Sequence, residues 1–335
     1  MLHPDMPYKE FLRMHVAMFQ TYLDESGIEK TDVCTVAGFV GGIQAQGLFG
    51  KKWKKILEHY DVRVPFHSIQ FYAPPEKIMK STTNPYRGWS NTKRKRFIND
   101  LITAIEEHNI FLVGCGIDSI AFHNRTQEEK RYMTGGIFHA MSRKWYSQGK
   151  PSAPYFVALR ATIEIAAYRI TKAEASQKPM LTFFMSEQNN YERGAMQMYR
   201  NILDMQPPLD VRHVLAEPMV FETPKNMAQL QAADLAAYHT YQYSRERRTD
   251  INSLGSPTFR RLAKCAAHSE DLKFISQDVI DKIGSRFAER RDEAEVNRHL
   301  RLTRLRVKAS HEPAECKIIG TVDEAGNFLP SAPST

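Results

Sequence analysis

Two apolar runs of strand period stand close together near the start of the chain, and they limit its fold more than any other feature. Residues 16–24 (VAMFQTYLD) alternate, with Phe19, Thr21 and Leu23 on one face and Gln20, Tyr22 and Asp24 on the other. Residues 33–43 (VCTVAGFVGGI) read as a second strand, and the turn-prone Glu25-Ser26-Gly27 lies between the two. A short turn between such runs predicts an antiparallel hairpin. A Lys-rich amphipathic helix is expected over 45–60, and irregular chain over 64–90, where Pro65, Pro74, Pro75 and Pro85 fall. A helix at about 90–108, opened by Ser90 or Asn91, leads into a strand at 110–118 (IFLVGCGID). Helices are then expected at roughly 130–147 and 155–177, a strand at 180–186, and a helix at 190–205 stopped by Pro207-Pro208. A strand at 210–216 and a helix at 226–247 complete the series. The order β-β-(insert)-α-β-α-α-β-α-β-α implies an α/β fold, a mixed sheet flanked by helices.

Composition sets the class. The chain has 335 residues, of which 42% are hydrophobic, 25% charged and 10% aromatic, which is ample for a real core and unlike a disordered chain. Cys34, Cys115, Cys265 and Cys316 lie far apart with no C-x-x-C, which argues against structural zinc and fits reduced thiols. No apolar run approaches the ~18 residues of a membrane span, and the N-terminal MLHPDMPYKEFLRMH has no stretch suited to a signal peptide. A cytoplasmic protein with no membrane association is the expectation. The last ninety residues turn arginine-rich and predict an α-helical extension. The expected division is a domain over 1–247 with an insertion at about 44–90, a helical extension over 248–308 and a weakly ordered tail over 309–335. A homo-oligomer is compatible with all of this.

Several carboxylates sit where an apolar pattern does not call for them. Asp24 closes the first strand just before a glycine turn, which suits either an Asx-type turn cap or a carboxylate aimed into a cleft. Asp234 lies in Met227-Ala-Gln-Leu-Gln-Ala-Ala-Asp-Leu-Ala-Ala-Tyr238, on a stripe with Gln231, Tyr238 and Tyr241. Among close-packed alanines an ionised carboxylate is costly unless paired or bound to a cation. Glu187 follows the strand LTFFMS on the face of Leu181, Phe183 and Met185, and reads as a site acid or as support for the next helix. Glu164 interrupts an apolar helix, as a site acid or a solvent-facing residue. Converging carboxylates repel one another unless a divalent cation neutralises them. An oxygen-only ligand set suits Mg²⁺ or Mn²⁺, and two such ions can drive phosphodiester hydrolysis.

Leu23-Asp24-Glu25-Ser26-Gly27, Phe66-His67 and Gln229-Leu230-Gln231-Ala232-Ala233-Asp234-Leu235-Ala236-Ala237-Tyr238, in that order, resemble domain-of-unknown-function family 3800 over about residues 17–245. That family is placed among the ribonuclease H-like folds. The resemblance implies a mixed five-stranded sheet and a divalent-metal-dependent nuclease acting on DNA or RNA. It implies Asp24, Glu187 and Asp234 as metal ligands and catalytic acids, with Glu164 as a fourth catalytic acid. Glu187 falls where the family tends to have Asp, and Ser186 competes for the same position. Glu25, Ser26, His67 and Gln231 are expected at the cleft, His67 as ligand, proton shuttle or hydrogen-bonding residue. A ribonuclease H-like module that binds nucleic acid or protein without catalysis is the alternative.

The formal net charge of +8 permits a polyanionic partner without requiring one. Lys51, Lys52, Lys93, Arg94 and Arg96 belong to runs that are either solvated helix faces or a track for a phosphate backbone, with Trp53 as a stacking surface. The segment Arg298–Lys308 is basic without an acid, and either packs through its leucines or contacts nucleic acid. Val322-Asp323-Glu324-Ala325-Gly326 echoes the first motif and reads as a hairpin turn.

Overall fold

The computed structural model describes residues 18–28, 31–139, 142, 144–147, 149–150, 152–173, 179–187, 190–204, 211–266, 271–289, 291, 320–322 and 328–330. The hairpin forms as the sequence requires. Strands β1 (Met18–Ser26) and β2 (Val33–Gly42) pair antiparallel with Asp24 opposite Ala37. Gly27 turns the chain at φ +74°, and a Cβ there would lie 2.4 Å from both the Tyr241 ring and the Val33 carbonyl, so only glycine fits. Helix α1 (Ile43–His59) follows, then helix α2 (Asn91–Glu107), capped by the Ser90 side chain, and strand β3 (Phe111–Asp118). Short helices Ser68–Phe71 and Pro75–Lys80 occupy the proline-rich stretch between α1 and α2.

The stretch expected as a helix over 130–147 is different. A short helix, Gln127–Met133, ends near Gly135, whose φ of +85° an α-helix does not accommodate. A small antiparallel hairpin, β4 (Ile137–His139) and β5 (Lys144–Ser147), follows. Helix α3 (Tyr155–Ala173), strand β6 (Met180–Ser186) and helix α4 (Glu192–Asp204) come next. The fifth strand of the main sheet is β7 (Val220–Glu222), later than the expected 210–216. Within that earlier range the chain turns through a 3-10 helix, Arg212–Val214, and only Leu215 bridges to Leu181. Helix α5 (Ala228–Thr249) completes the expected series.

The C-terminal stretch carries a helix at Pro257–Ala263, strand β8 (Leu272–Ile275) and helix α6 (277–289). β8 pairs parallel with β3, so the main sheet has six strands, in the order β7-β6-β1-β2-β3-β8, where five were expected. Three of its five pairings are parallel and the two involving β2 are antiparallel. β9 (Gly320–Val322) and β10 (Phe328–Pro330) pair antiparallel, while 323–326 of the expected turn lie outside the described residues. The basic segment 298–308 lies outside the described residues, as does most of the tail. Among the described residues no helix is long and apolar enough to cross a membrane.

Helices cover both faces of the sheet, which is why β2 is buried along nearly its whole length instead of alternating. On one face Leu23, Val36, Val113, Leu181, Phe183 and Met185 pack with α3, α4 and Ile280 of α6. On the other, Ala37, Phe39 and Leu112 pack with α1, α2 and α5. Tyr22 and Phe184, neighbours on β1 and β6, stack at 4.8 Å beneath Leu230 and Ala233 of α5. The alanines of α5 (Ala228, Ala232, Ala233, Ala236, Ala237) are all buried and let the helix axis come close. Further along, a Cβ at Gly116 of β3 would lie 2.2 Å from the Ser244 hydroxyl.

Gln231 locks this helix to the insertion. Its Oε1 accepts from Trp53 Nε1 (3.2 Å) and from the Phe66 backbone N–H (2.9 Å), and its Nε2 donates to the Pro224 carbonyl at 2.9 Å. Both donors are buried, so removing the acceptor costs about 1–3 kcal/mol for each group left unpaired. Gln231→Leu is expected to lower the urea midpoint of unfolding with an unchanged slope. Leu230→Met, a volume-conserving change nearby, is expected to cost less than about 1.5 kcal/mol.

Candidate functional site

A cleft of about 860 Å³ opens where β1 and β6 end and α5 passes over them. Asp24 reaches it from β1, on the same face as Tyr22, and is 7% exposed. Ser186 reaches it from β6, and its hydroxyl favours the charged form of Asp24. Asp234 enters from α5, its side chain 13% exposed. Its Oδ2 accepts the Ser68 backbone N–H at 2.6 Å, and its Oδ1 lies 3.1 Å from Nδ1 of the half-exposed His67. Each carboxylate oxygen has a second lone pair, so these contacts fix the rotamer of Asp234 without exhausting it. Two residues distant in sequence therefore face one cleft because the alanine face of α5 lies flat on the hairpin.

Burial, and then the nearby charge of Asp234, push the Asp24 carboxyl up to about 7. Glu25 is raised well above the ordinary carboxylate range, by burial first and by Asp24 second. His67 is shifted upward, chiefly by its hydrogen bond to Asp234. Burial raises the Tyr155 hydroxyl strongly, with Glu25 the largest charge contribution. Behind the cleft, Tyr72 stacks on Tyr238 at 4.8 Å with 6° between the rings, and its hydroxyl lies 2.9 Å from His239 Nε2. Burial lowers His239 to about 4, so that ring is neutral.

Asp24, Glu25, Ser26, His67 and Asp234 all line the cleft, as the sequence leads one to expect, and Gln231 does not. It is 5% exposed and is consumed by the clasp described above. Glu187 is exposed and outside the cleft lining. It shares strand parity with Leu181, Phe183 and Met185, which face α3 and α4, whereas Asp24 faces α5, so Ser186 takes the cleft position. Glu164 is also outside it, bridged to Arg160 at 2.9 Å one turn away on α3.

Trp53 requires correction as a stacking surface. It is fully buried, edge-on to Phe66 at 5.9 Å, with its N–H given to Gln231. Arg94 lies over the Phe71 ring at 4.7 Å and donates to the Phe71 carbonyl, bracing the chain next to His67. Lys93 sits over Trp89 at 4.1 Å, while Lys51, Lys52 and Arg96 are exposed. None of these cations lines the cleft; Lys225 does, with Thr223, Asn190, Tyr191 and Tyr238. No spacing or pattern marks Lys225, a lone lysine in the loop Thr223-Pro224-Lys225.

The donor chemistry fits a hard divalent cation in kind. Asp24, Glu25 and Asp234 offer oxygens to one cleft, and Glu25 Oε2 is buried without a hydrogen-bond partner. Among the described residues, no group of three or more His, Cys, Asp or Glu side chains stands close enough together to hold a metal ion.

Asp24 makes the bare site sensitive to pH. Its folded pKa lies above its unfolded value, so its contribution to stability is present below 3.8 and is lost as pH rises through about 7. The upward shift of His67 acts in the same direction. In chelator-treated protein, unfolding free energy is expected to fall over that window, by up to about 1.4 kcal/mol per pH unit for each proton. Asp24→Asn should flatten the fall and raise the midpoint at pH 8, read by thermal melts across pH.

The chain matches no protein-family model, no curated protein and no solved structure, so its function is argued from the chemistry of this cleft.

Proposed function

We propose that this chain is a divalent-metal-dependent nuclease of ribonuclease H-like fold, akin to domain-of-unknown-function family 3800, that hydrolyses phosphodiester bonds of DNA or RNA. One observation carries the reading. Asp24 and Asp234, from elements far apart in sequence, meet recessed in one cleft, and no Lys or Arg among the described residues bridges either. Burying two carboxylates together, with His67 the one basic group among the described residues paired to either, is unfavourable in the bare protein and favourable around a cation. The antiparallel run β1-β2-β3, followed by β6 and β7 parallel on the β1 side, supports the fold assignment, with β8 an addition at the far edge.

Asp24, Glu25 and Asp234 would hold Mg²⁺ or Mn²⁺, with Glu25 as the third carboxylate in place of Glu187. A cation held there supplies an activated water and charge stabilisation for the leaving oxygen. The chain's own residues do the positioning. The Ser186 hydroxyl favours the charged form of Asp24, while the Ser68 N–H and His67 fix Asp234. Lys225 places positive charge at the rim, where a phosphate enters. His67, half-exposed and raised in proton affinity, holds a proton beside Asp234.

The test is hydrolysis of end-labelled DNA and RNA oligonucleotides with Mn²⁺. Asp24→Asn and Asp234→Asn are each expected to reduce cleavage by about a hundredfold or more, on the scale seen when a key electrostatic group is removed. Both should stay folded, and excess chelator should stop the wild type. Cleavage that survives Asp24→Asn would sink the nuclease reading. A second reading, a ribonuclease H-like module that binds nucleic acid or protein without catalysis, is favoured by the exclusion of Glu187 and Glu164 from the cleft. Salt-sensitive binding with neither metal dependence nor cleavage would select it.

A further inference from the structure

The shape of the cleft bears on what form of nucleic acid it admits, a question that rests on the nucleic-acid reading above. Its acids lie at the floor, Asp24 at 7% exposure and the Asp234 side chain at 13%. Four chain segments rise around them: Gly27–Ile28, Val64–Gln70, Asn190–Tyr191 and Thr223–Lys225. The phosphodiesters of a duplex lie on the outside of a broad, stiff rod, whereas a single strand bends readily enough to carry one down to a recessed floor.

The walls carry the chemistry of unpaired bases. Ile28, Val64 and Ile69 line the cleft, Val64 being 44% and Ile69 66% exposed. Lys225 is the one Lys or Arg among the described lining residues, far short of the rows of cations that duplex binding uses to neutralise two backbones. Tyr238 also lines the cleft, and its ring is held before anything binds. Tyr72 backs it at 4.8 Å in a near-parallel stack, and Tyr72 is itself fixed by the His239 contact at 2.9 Å. A ring already immobilised loses little rotamer entropy when a second planar group settles on it. Stacking on such a ring is sequence-tolerant, because every base presents a π face.

We infer that the cleft takes a single, unpaired nucleic-acid strand, with one base stacked on the Tyr72-backed Tyr238 ring and a phosphate held at Lys225.

The test uses the full chain in chelator, so that binding is read without cleavage, with fluorescence anisotropy of a labelled mixed-sequence single strand and of its blunt duplex. The single strand is expected to bind at least about tenfold tighter than the duplex. Tyr238→Ala should weaken single-strand binding by about tenfold, within the range expected for losing one base stack. Tyr238→Phe should restore it, and Tyr238→Leu, which keeps bulk but no π face, should not. Equal or tighter duplex binding overturns the inference, as does binding indifferent to Tyr238→Ala and Tyr238→Leu. Failure here is separable from failure of the nuclease reading. Asp24-dependent cleavage with Tyr238-indifferent binding overturns only the stacking site. Stacking-dependent strand binding with no cleavage in Mn²⁺ supports it and overturns only the nuclease.

Discussion

Everything at the cleft depends on the close contact between α5 and the β1–β2 hairpin. Ala228, Ala232, Ala233, Ala236 and Ala237 are buried against the sheet or its neighbouring helices. Their small side chains add modest transfer energy, but they remove the obstacle to approach. The larger gain comes from Leu230 and Leu235, both fully buried, at roughly 1.5–3 kcal/mol each. Because the helix lies so close, Asp234 enters the cleft beside Asp24, and the Ser68 N–H and His67 hold it where Asp24 can sense its charge. A bulkier residue at any of those alanines would lift the helix and separate the acids.

The electrostatics of the molecule divide by depth. The excess of positive charge lies on exposed lysines and arginines of α1 and α2 and in the C-terminal stretch, while the cleft lining holds three acids and one lysine. The net charge of +8 is therefore no guide to the site. At long range such a charge draws polyanions toward the surface, and salt screens it. At the cleft floor, where water is largely excluded, Asp24 and Glu25 are raised by burial and by one another.

The hairpin, the helix at 226–247 and the pairing of Asp24 with Asp234 were legible because each rests on local pattern: alternation, a glycine turn, and a carboxylate among alanines. Glu187 shows where local pattern ends. Its parity with Leu181, Phe183 and Met185 could be read, but the occupant of that face could not, since it depends on which helices pack there. Trp53 is similar: a tryptophan between lysines looks like a surface ring, and only the acceptor on Gln231, far along the chain, draws it inside. β8 is not legible because a four-residue edge strand in an arginine-rich stretch has no room to show a period. Lys225 and the Tyr72–Tyr238 stack belong to loops and to tertiary contact, where sequence spacing carries no signal.

The Gln231 clasp has a consequence for how the molecule comes into being. It joins α1, the proline-rich stretch after it and the loop before α5, so this tie on the wall of the cleft is missing until α5 is present. Asp234 arrives with that same helix. During synthesis the first hairpin and the insertion emerge long before the element that completes them, and non-local contacts of this kind are the slow ones to form. The acids are thus brought face to face by one late docking event, and a nascent chain stopped short of α5 holds Asp24 without its counterpart.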